Sequence, residues 1–332
     1  MTSFFVLISL SFIFSFVFNF IFNLLFLKRN KIDNINSRSS HSVVATKTGG
    51  LAIFFSLCTI TIFLYSNNKE IFDFSLLIPL SIIFITGVYD DFYDANFKLK
   101  FFLQIIVAKL LIDQGFIINN LHGLFGFYQI PHIISQFTTV FTFIIIVNAI
   151  NFTDGIDGLA SILVIYFIIV FEFLMGFESI IVSLNIILVS ILIPFFFFNF
   201  KKNNKVFLGD SGSLFLGTLI AINTFNFLNF SVIEKSNYNA ALISIAILFY
   251  PLIDLLRVFV IRIKNGNSPF IADKNHLHHK LSYLINNHYL RSSIILTLSI
   301  LFLILSFTIE NNFSSIYTSV FYIISCLIFL RK

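Results

Sequence analysis

Asn148-Ala-Ile-Asn-Phe-Thr-Asp-Gly-Ile-Asp-Gly158 is a polar stretch set between two long apolar runs. The runs cover roughly residues 133–150 and 158–176, and a helix of about 20 apolar residues is long enough to cross a bilayer. Ionised groups so close to hydrocarbon carry an insertion cost of about 3 kcal/mol each. A cluster of carboxylates and carboxamides at such a boundary therefore indicates a functional site.

The rest of the chain repeats this pattern of long apolar runs broken by short polar stretches. Its 332 residues are 58% hydrophobic and 11% charged, with a mean hydropathy of +0.95. Soluble domains carry about 25% charged residues. We therefore predict an all-α polytopic membrane protein, one domain over residues 1–332, with a bundle of about 11 transmembrane helices. The predicted spans are roughly 3–27, 49–66, 71–89, 100–118, 133–150, 158–176, 178–199, 212–232, 239–261, 292–309 and 313–330.

Within the fourth span, Lys109 and Asp113 stand four residues apart, a spacing that predicts a helical ion pair facing the bundle. Cys58 and Cys326 both lie in apolar runs, so no disulfide framework is expected.

The basic residues are distributed unevenly among the loops. Of the 21 Lys and Arg, all but Lys69, Lys109 and Lys235 fall on alternate loops that share one side of the membrane. The positive-inside rule then predicts an N-terminus outside and a C-terminus in the cytoplasm. This account of the net charge of +5 leaves no reason to expect nucleic acid.

With this topology every polar cluster faces the cytoplasm. The clusters lie in loops near residues 28–48, 90–100, 148–158, 200–213 and 262–291. A one-sided concentration of carboxylates, glycines and histidines favours a catalytic face. The alternative is a transporter or lipid flippase, which would be expected to place polar groups at mid-membrane.

Asp90 and Asp91 end the third span. Adjacent residues on a helix point about 100° apart, so the two carboxylates are expected to have different tasks. One would accept a proton or approach a phosphate, while the other would bind a metal or orient a cation. The alternative is a solvated helix end.

In the opening stretch, Asn148, Asn151, Asp154 and Asp157 recur every third residue, which would line one face of a helix. The two glycines favour a partly unwound segment that a ligand can approach. Asn and Asp offer the donors and acceptors that suit a base or a sugar. A polar turn between helices is the alternative.

Gly209-Asp-Ser-Gly-Ser213 places one carboxylate in a glycine-flanked turn that opens a span. A helix N-terminus with small residues suits a phosphate, and Mg²⁺ takes one or two carboxylates together with substrate phosphates. The alternative is a simple N-cap by Asp210 or Ser211.

Arg262 and the nearby His276, His278 and His279 predict a positive pocket for a diphosphate or a sugar. Zinc is a competing interpretation. It is disfavoured because the adjacent His278 and His279 diverge on a helix and no Cys joins them. Leucines at near-helical spacing from Leu277 onward predict an amphipathic helix at the interface.

Five blocks in this order resemble the polyprenyl-phosphate N-acetylhexosamine-1-phosphate transferases of bacteria, and the resemblance covers about residues 36–282. The blocks are Arg38-Ser-Ser-His41 with Gly49-Gly50, Asp90-Asp91 with Lys100 and Gln104, Asn151-x-x-Asp-Gly-x-Asp-Gly158, Gly209-Asp-x-Gly-Ser-Leu-x-Leu-Gly217, and Ser268-Pro-Phe-x-Ala-Asp-x-x-His-Leu-His-His279. Each block alone is weak, and their order makes the resemblance specific.

The resemblance implies a bundle of ten or eleven helices and a Mg²⁺-dependent reaction, with Mn²⁺ as a substitute. A sugar-1-phosphate would pass from a UDP-sugar to undecaprenyl phosphate, releasing UMP. The implied site residues are Asp90 and Asp91 as catalytic groups, Asp210 as metal ligand, Asn151, Asp154, Asp157, Arg262, His276, His278 and His279 for the nucleotide sugar, and Lys100, Arg38 and His41 for the lipid phosphate.

The form of the last block resembles the branch that uses UDP-GlcNAc or a related UDP-HexNAc for O-antigen, teichoic-acid or capsule lipids. UDP-MurNAc-pentapeptide is the alternative donor. Val44, Thr46 and Ala95-Asn96 stand where the family often has prolines or Ser-Pro, which leaves the sugar open. The implied location is the bacterial cytoplasmic membrane, with the site facing the cytoplasm, and a homodimer is one option.

Overall fold

The structure is a computed structural model that describes residues 2–32, 44–124, 126–230, 239–266, 268, 276–281, 285, 287–312 and 315–330. Its α-helices are α1 Thr2–Lys28, α2 Gly49–Ser66, α3 Leu77–Tyr93, α4 Phe97–Asp113, α5 His132–Thr153, α6 Leu159–Leu174, α7 Val182–Asn199, α8 Gly209–Leu228, α9 Ala240–Ile247, α10 Phe249–Lys264, α11 Leu277–Leu281, α12 His288–Asn312 and α13 Ser315–Leu330. A 3₁₀ turn, Phe74–Leu76, precedes α3. The strands are β1 Ala45–Thr46, β2 Asn120–Leu124, β3 Phe127–Gln129 and β4 Lys205–Val206.

The chain is an all-α, multi-pass membrane protein. Among the described residues, seven helices are long and apolar enough to cross a membrane, or eight if the bent pair α9–α10 is one span. The helices α6 and α13 are apolar but shorter. A helix stands at each of the eleven predicted ranges, while the number that cross and the side that faces the cytoplasm stay predictions.

The predicted ninth span is broken. Its two parts, α9 and α10, meet at Leu248 with a bend of 75°. The break has a cause in Pro251, which has no N–H to donate to the carbonyl of Ile247 and whose ring would clash with that carbonyl in a continuous helix. The chain therefore starts a new helix here, and Pro251 takes a place in its first turn.

Helix α8 is the centre of the bundle. It packs against α2, α3, α5, α6 and α9, and all of its 20 residues except Asp210 are buried. Close packing needs small residues: a methyl group on Gly87 of α3 would lie 2.4 Å from Cα of Ser211. The most enclosed helix thus presents one incompletely buried residue, a carboxylate, at its N-terminus.

The Lys109–Asp113 ion pair forms, but its direction was wrongly predicted. The two side chains are 52% and 56% exposed, so the pair points away from the bundle. Long charged side chains keep their heads in a polar environment when the backbone gives them that freedom.

Two small sheets join the loops at opposite ends of the bundle. On the side of Asp210, β1 pairs in parallel with β4, and this pairing fixes the chain just before Lys47 and at Lys205. At the other end β2 and β3 form an antiparallel hairpin. Apolar periodicity alone gave no signal for either sheet.

Candidate active site

Asp91 in α3 fixes the N-terminus of α8. Its Oδ1 accepts a hydrogen bond from the backbone N–H of Asp210 at 2.9 Å, and its Oδ2 accepts one from Ser211 N–H at 3.0 Å. The first N–H groups of a helix have no partner within it, and the helix dipole favours a negative charge there. The alternative of a simple N-cap by Asp210 or Ser211 is therefore wrong, because the cap comes from the neighbouring helix.

Asp210 lies at the meeting point of three helices. Asn151, at the end of α5, donates from Nδ2 to Asp210 Oδ1 and, at 2.8 Å, to Ser213 Oγ. The Asp90 carboxyl of α3 is within hydrogen-bonding reach of Asp210. Two carboxylates in contact repel each other unless a proton or a cation offsets their charge.

Asp90 itself is held by two donors. The Lys100 ammonium forms an ion pair with its Oδ2, and the backbone N–H of Ala95 donates to its Oδ1 at 2.8 Å. The side chain is buried, with 8% exposed. Asp90 is therefore an oriented carboxylate that faces both a cation and a second carboxylate.

The polar stretch from Asn148 to Gly158 is partly unwound, as predicted. Helix α5 ends at Thr153, and a turn leads through Gly158, whose φ of +72° is in the left-handed region, into α6. Within this turn, burial raises the pKa of Asp154 well above its usual range, and the charges of Asp210, Asp91 and Asp157 raise it further against an opposing contribution from Lys47. The carboxylates of α3, of this turn and of α8 therefore share one strongly negative potential.

Asp157 is already engaged by groups of the protein. Lys205 of β4 forms an ion pair with its Oδ2, and Nδ1 of His288 lies 3.3 Å from the same oxygen. The Ser292 hydroxyl donates to the backbone oxygen of Asp157 at 3.1 Å. Asp157 thus ties the turn to β4 and α12, which is a structural task beside the nucleotide contact predicted for it.

The histidines form a second group beside the carboxylates. Nδ1 of His276 lies 2.7 Å from Oδ2 of Asp254, which is in α10 and only 1% exposed. The His276 and His278 rings are stacked with centroids 5.3 Å apart, and those of His278 and His279 are 4.3 Å apart.

His278 packs against the polar turn. A methyl group built on Gly155 would lie 2.0 Å from Nε2 of His278, so this position requires glycine. His278 is fully buried, both of its ring nitrogens lack a hydrogen-bond partner, and burial together with the charges of His279, His276 and Arg291 lowers its pKa well below the usual range. We conclude that His278 is neutral.

The end of α5 connects the two groups. Asn151 binds Asp210, whereas the next residue, Phe152, lies against His276 with ring centroids 5.3 Å apart and has the Arg262 guanidinium 5.7 Å from its ring. Gly155 then contacts His278. One continuous segment of five residues therefore places the carboxylate cluster next to Arg262 and the histidines.

The sequence that forms this site is similar to the sequences of known proteins. The model of glycosyl transferase family 4 matches residues 73–228. A decaprenyl-phosphate N-acetylglucosaminephosphotransferase of Mycobacterium tuberculosis is 30% identical over 286 residues, covering 76% of this chain and 69% of its own. The chain belongs to glycosyl transferase family 4.

Two further relatives extend the comparison. A Bacillus subtilis protein named a probable undecaprenyl-phosphate N-acetylglucosaminyl 1-phosphate transferase is 29% identical over 92% of this chain and 84% of its own. The undecaprenyl-phosphate alpha-N-acetylglucosaminyl 1-phosphate transferase of Yersinia pestis is 27% identical over 76% of this chain and 70% of its own. The family resemblance of the five blocks is confirmed.

The structure brings most of the predicted site residues into the two groups. The first group contains Asp90, Asp91, Lys100, Asn151, Asp154 and Asp210. The second contains Arg262, His276, His278 and His279. Arg38 and His41 lie outside the described residues.

Three residues near the two groups were not singled out from the sequence. Lys47 contributes positive charge to Asp154 and Asp210, Lys205 pairs with Asp157, and Asp254 holds His276. Asp254 could have been found, because a carboxylate inside an apolar helix is unusual enough to indicate a function. Lys47 and Lys205 were hidden because the β1–β4 pairing that places them has only two residues in each strand.

The first group fits a hard divalent cation. Asp210, Asp90 and Asp154 supply carboxylate oxygens that share a negative potential, and Mg²⁺ prefers such oxygens together with substrate phosphates. The contact between Asp90 and Asp210 therefore suits the Mg²⁺ that the resemblance implies.

The second group is less suited to a metal, although its geometry is close. One ligand atom each of Asp254, His276 and His278 lies within 4.8 Å of the others. However, one Asp254 oxygen already contacts His276 and the other accepts from Leu277 N–H, while Arg291 adds positive charge. A positive pocket favours an anion over a further cation.

Proposed function

We propose that this family 4 member transfers a HexNAc-1-phosphate, most simply GlcNAc-1-phosphate, from a UDP-sugar to undecaprenyl phosphate and releases UMP. One observation carries the proposal: the end of α5 places a carboxylate cluster, Asp90, Asp154 and Asp210, beside the Arg262 guanidinium and the histidines. A diphosphate substrate needs both kinds of partner, a cation held by carboxylates and direct cationic donors.

The reaction exchanges one phosphoanhydride bond for another. An oxygen of the lipid phosphate attacks the sugar-bearing β-phosphorus of the UDP-sugar, and the bond from that phosphorus to the bridging oxygen breaks. The bridging oxygen and its electron pair leave with UMP, so no external oxidant, reductant or proton is required. Both reactants are anionic, and the main task of the site is to offset their repulsion while aligning them.

The protein side chains divide this task. Lys100 and Asp90 form an ion pair at the start of α4. The Asp90 carboxylate holds the Lys100 ammonium in position, and the ammonium can attract the lipid phosphate. Arg262 and the histidines would hold the diphosphate and sugar. Asn151 and Asp154, at the end of α5, would contact the nucleotide.

Asp91 receives a narrower task than the catalytic one predicted from the sequence. Both of its oxygens are occupied by backbone N–H groups of α8, so it holds Asp210 in place. Asp210, with the Asp90 carboxyl in contact with it, would hold Mg²⁺, with Mn²⁺ as a substitute. When bound, the ion neutralises phosphate charge and polarises the phosphoryl oxygens.

The names of the relatives support GlcNAc over a MurNAc-pentapeptide. Those of Yersinia pestis and Mycobacterium tuberculosis are named as GlcNAc-1-phosphate transferases acting on undecaprenyl and decaprenyl phosphate. We extend the polyprenyl acceptor and the GlcNAc group to this chain, and we place its site on the cytoplasmic face of a bacterial membrane because the basic loops collect there. The product would initiate a cell-envelope polysaccharide.

The decisive experiment presents purified protein in detergent with undecaprenyl phosphate, Mg²⁺ and a panel of UDP-HexNAc donors that includes UDP-MurNAc-pentapeptide. We expect UMP release that requires the lipid and is fastest with UDP-GlcNAc. Release only with UDP-MurNAc-pentapeptide would reassign the donor. The protein must first be shown to be folded, by a thermal denaturation curve. If such protein releases no UMP with any donor, the transferase proposal is overturned.

A further inference from the structure

Asp254 is a buried carboxylate outside the carboxylate cluster. It lies in α10, only 1% exposed, and both of its oxygens face groups of the segment that follows. Oδ2 lies 2.7 Å from Nδ1 of His276, and Oδ1 accepts the backbone N–H of Leu277, also at 2.7 Å. A carboxylate is removed from water at a cost unless such partners compensate for it.

The two contacts constrain the His276 ring. A carboxylate can only accept hydrogen bonds, so the short contact places the proton on Nδ1 of the imidazole. The ring is also held by its neighbours, since the rings of Phe152 and His278 each have centroids 5.3 Å from its own. The nitrogen that remains for a ligand is therefore Nε2, with its tautomer and direction set by the protein.

We propose that Asp254 is a positioning residue that acts through His276 and fixes Nε2 as the atom presented to the donor substrate. The inference rests on the proposed transferase function. Asp254 makes no contact with the carboxylate cluster among the described contacts, so its effect on the reaction passes through the histidine. The same pairing of a carboxylate with a histidine orients imidazoles in other enzymes, where the wrong tautomer lowers kcat although the geometry is intact.

Asp254 also caps α11 through Leu277, and Asp254→Asn separates this role from the positioning role. An amide has one acceptor oxygen and one donor nitrogen. Because Leu277 N–H can only donate, the amide oxygen must face it and the amide NH₂ must face Nδ1 of His276. The cap is then kept while the imidazole is forced into the other tautomer.

The test compares four proteins: wild type, Asp254→Asn, His276→Ala and the double variant, each assayed for UMP release and thermal midpoint. We expect Asp254→Asn to keep the thermal midpoint and to lose about tenfold or more in kcat, which is about 1.4 kcal/mol. In the His276→Ala background the same change should alter kcat by less than about twofold, since effects that act through one residue do not add. Asp113→Asn, an exposed carboxylate at the other end of the bundle, is the matched control.

Three outcomes would overturn the proposal. If Asp254→Asn kept the wild-type kcat, Asp254 would have no positioning role. If Asp254→Asn lowered kcat equally in the wild-type and His276→Ala backgrounds, Asp254 would act by a route other than His276. A tightly bound metal that elemental analysis finds in the wild type and not in Asp254→Asn would make Asp254 a ligand instead. If wild type itself releases no UMP, the proposed function fails, and the thermal midpoints still decide whether the cap is kept.

Discussion

Asp91 and Asp210 belong to different helices, yet the backbone N–H of Asp210 donates to the Asp91 carboxylate at 2.9 Å. The side chain of Asp91 thus positions the peptide unit whose own side chain enters the site. Adjacent Asp90 instead contacts the side-chain carboxyl of Asp210 and the Lys100 ammonium. The two adjacent aspartates therefore have different partners, and the different tasks expected for them stay a prediction.

Asp91→Asn tests the positioning task. The amide keeps one acceptor for the two N–H groups and removes the negative charge at the start of α8, so we expect a loss of about 1 kcal/mol in the free energy of unfolding. Asp210 would shift with its helix, and the Mg²⁺ concentration for half-maximal UMP release should rise. A protein of unchanged thermal midpoint and unchanged Mg²⁺ dependence that has lost turnover would assign Asp91 to the chemistry itself.

Asp210→Asn should behave differently. The amide oxygen can still accept from Nδ2 of Asn151, and the change removes a charge from a repulsive cluster, so the fold should be kept. Turnover should fall by about a thousandfold, the size expected when a preorganised electrostatic partner of a phosphoryl group is lost. Turnover is measured as UMP release at saturating Mg²⁺, with Asp113→Asn as the control for a lost carboxylate. Full activity of Asp210→Asn would exclude it from the metal site.

Asp157 and Lys205 offer a test of structure against substrate binding. Their ion pair is 7% and 14% exposed, and removing one partner of a buried pair costs about 3 kcal/mol. We expect Asp157→Asn and Lys205→Met to lower the thermal midpoint singly, and the double variant to recover part of the loss. The KM for the UDP-sugar is the second measurement. If Asp157→Asn raised this KM and left the midpoint unchanged, the nucleotide contact would be its main task.

Gly155→Ala should displace His278. The added methyl group would meet Nε2 at 2.0 Å, and the ring is buried and cannot turn aside without disturbing its neighbours. We expect kcat to fall about tenfold or more. Gly176→Ala is a matched control, because nothing lies within 4 Å of its added methyl, although its φ of +65° makes alanine somewhat strained. Equal activity of both variants would mean that His278 has room to move.

The helices and the polar residues at their ends could be predicted from the sequence, because the length of an apolar run and a glycine-flanked carboxylate are local signals. The helix ranges and the unwound turn after Thr153 belong to this class. What could not be predicted depends on contacts between distant segments. The cap of α8 by Asp91 and the Asp157–Lys205 pair join residues 48 to 119 positions apart, and no local pattern encodes such a partner.

The break of α9 from α10 is an instructive intermediate case. Pro251 was visible in the sequence, but a proline in an apolar run predicts only a kink or an end, not its angle. The bend of 75° depends on how each part packs. It also sets the start of α10, the helix from which Asp254 reaches His276.

Glu172 provides a test away from the site. It lies near the end of α6 farthest from the polar turn, about 20 Å along the helix axis from Leu159. It is 2% exposed, and its Oε1 accepts from Ser179 Oγ at 2.6 Å and from Asn185 Nδ2. Asn185 in turn exchanges hydrogen bonds of 2.7 and 3.1 Å with Asn223 of α8.

Glu172→Leu would remove the acceptor of the buried Ser179 hydroxyl and one of the two acceptors of Asn185 Nδ2, at a cost of about 1–3 kcal/mol. Glu172→Gln keeps an acceptor oxygen, so we expect a smaller loss of thermal midpoint. Activity per folded molecule should be unchanged in both, because the network stabilises the packing of α6 and α7 on α8 and not the carboxylate cluster. Two measurements check this. Thermal denaturation in detergent gives the midpoint of each variant, and UMP release is measured at a temperature at which both variants are folded. A selective loss of kcat in Glu172→Gln would show that this end of α8 is coupled to Asp210 at the other.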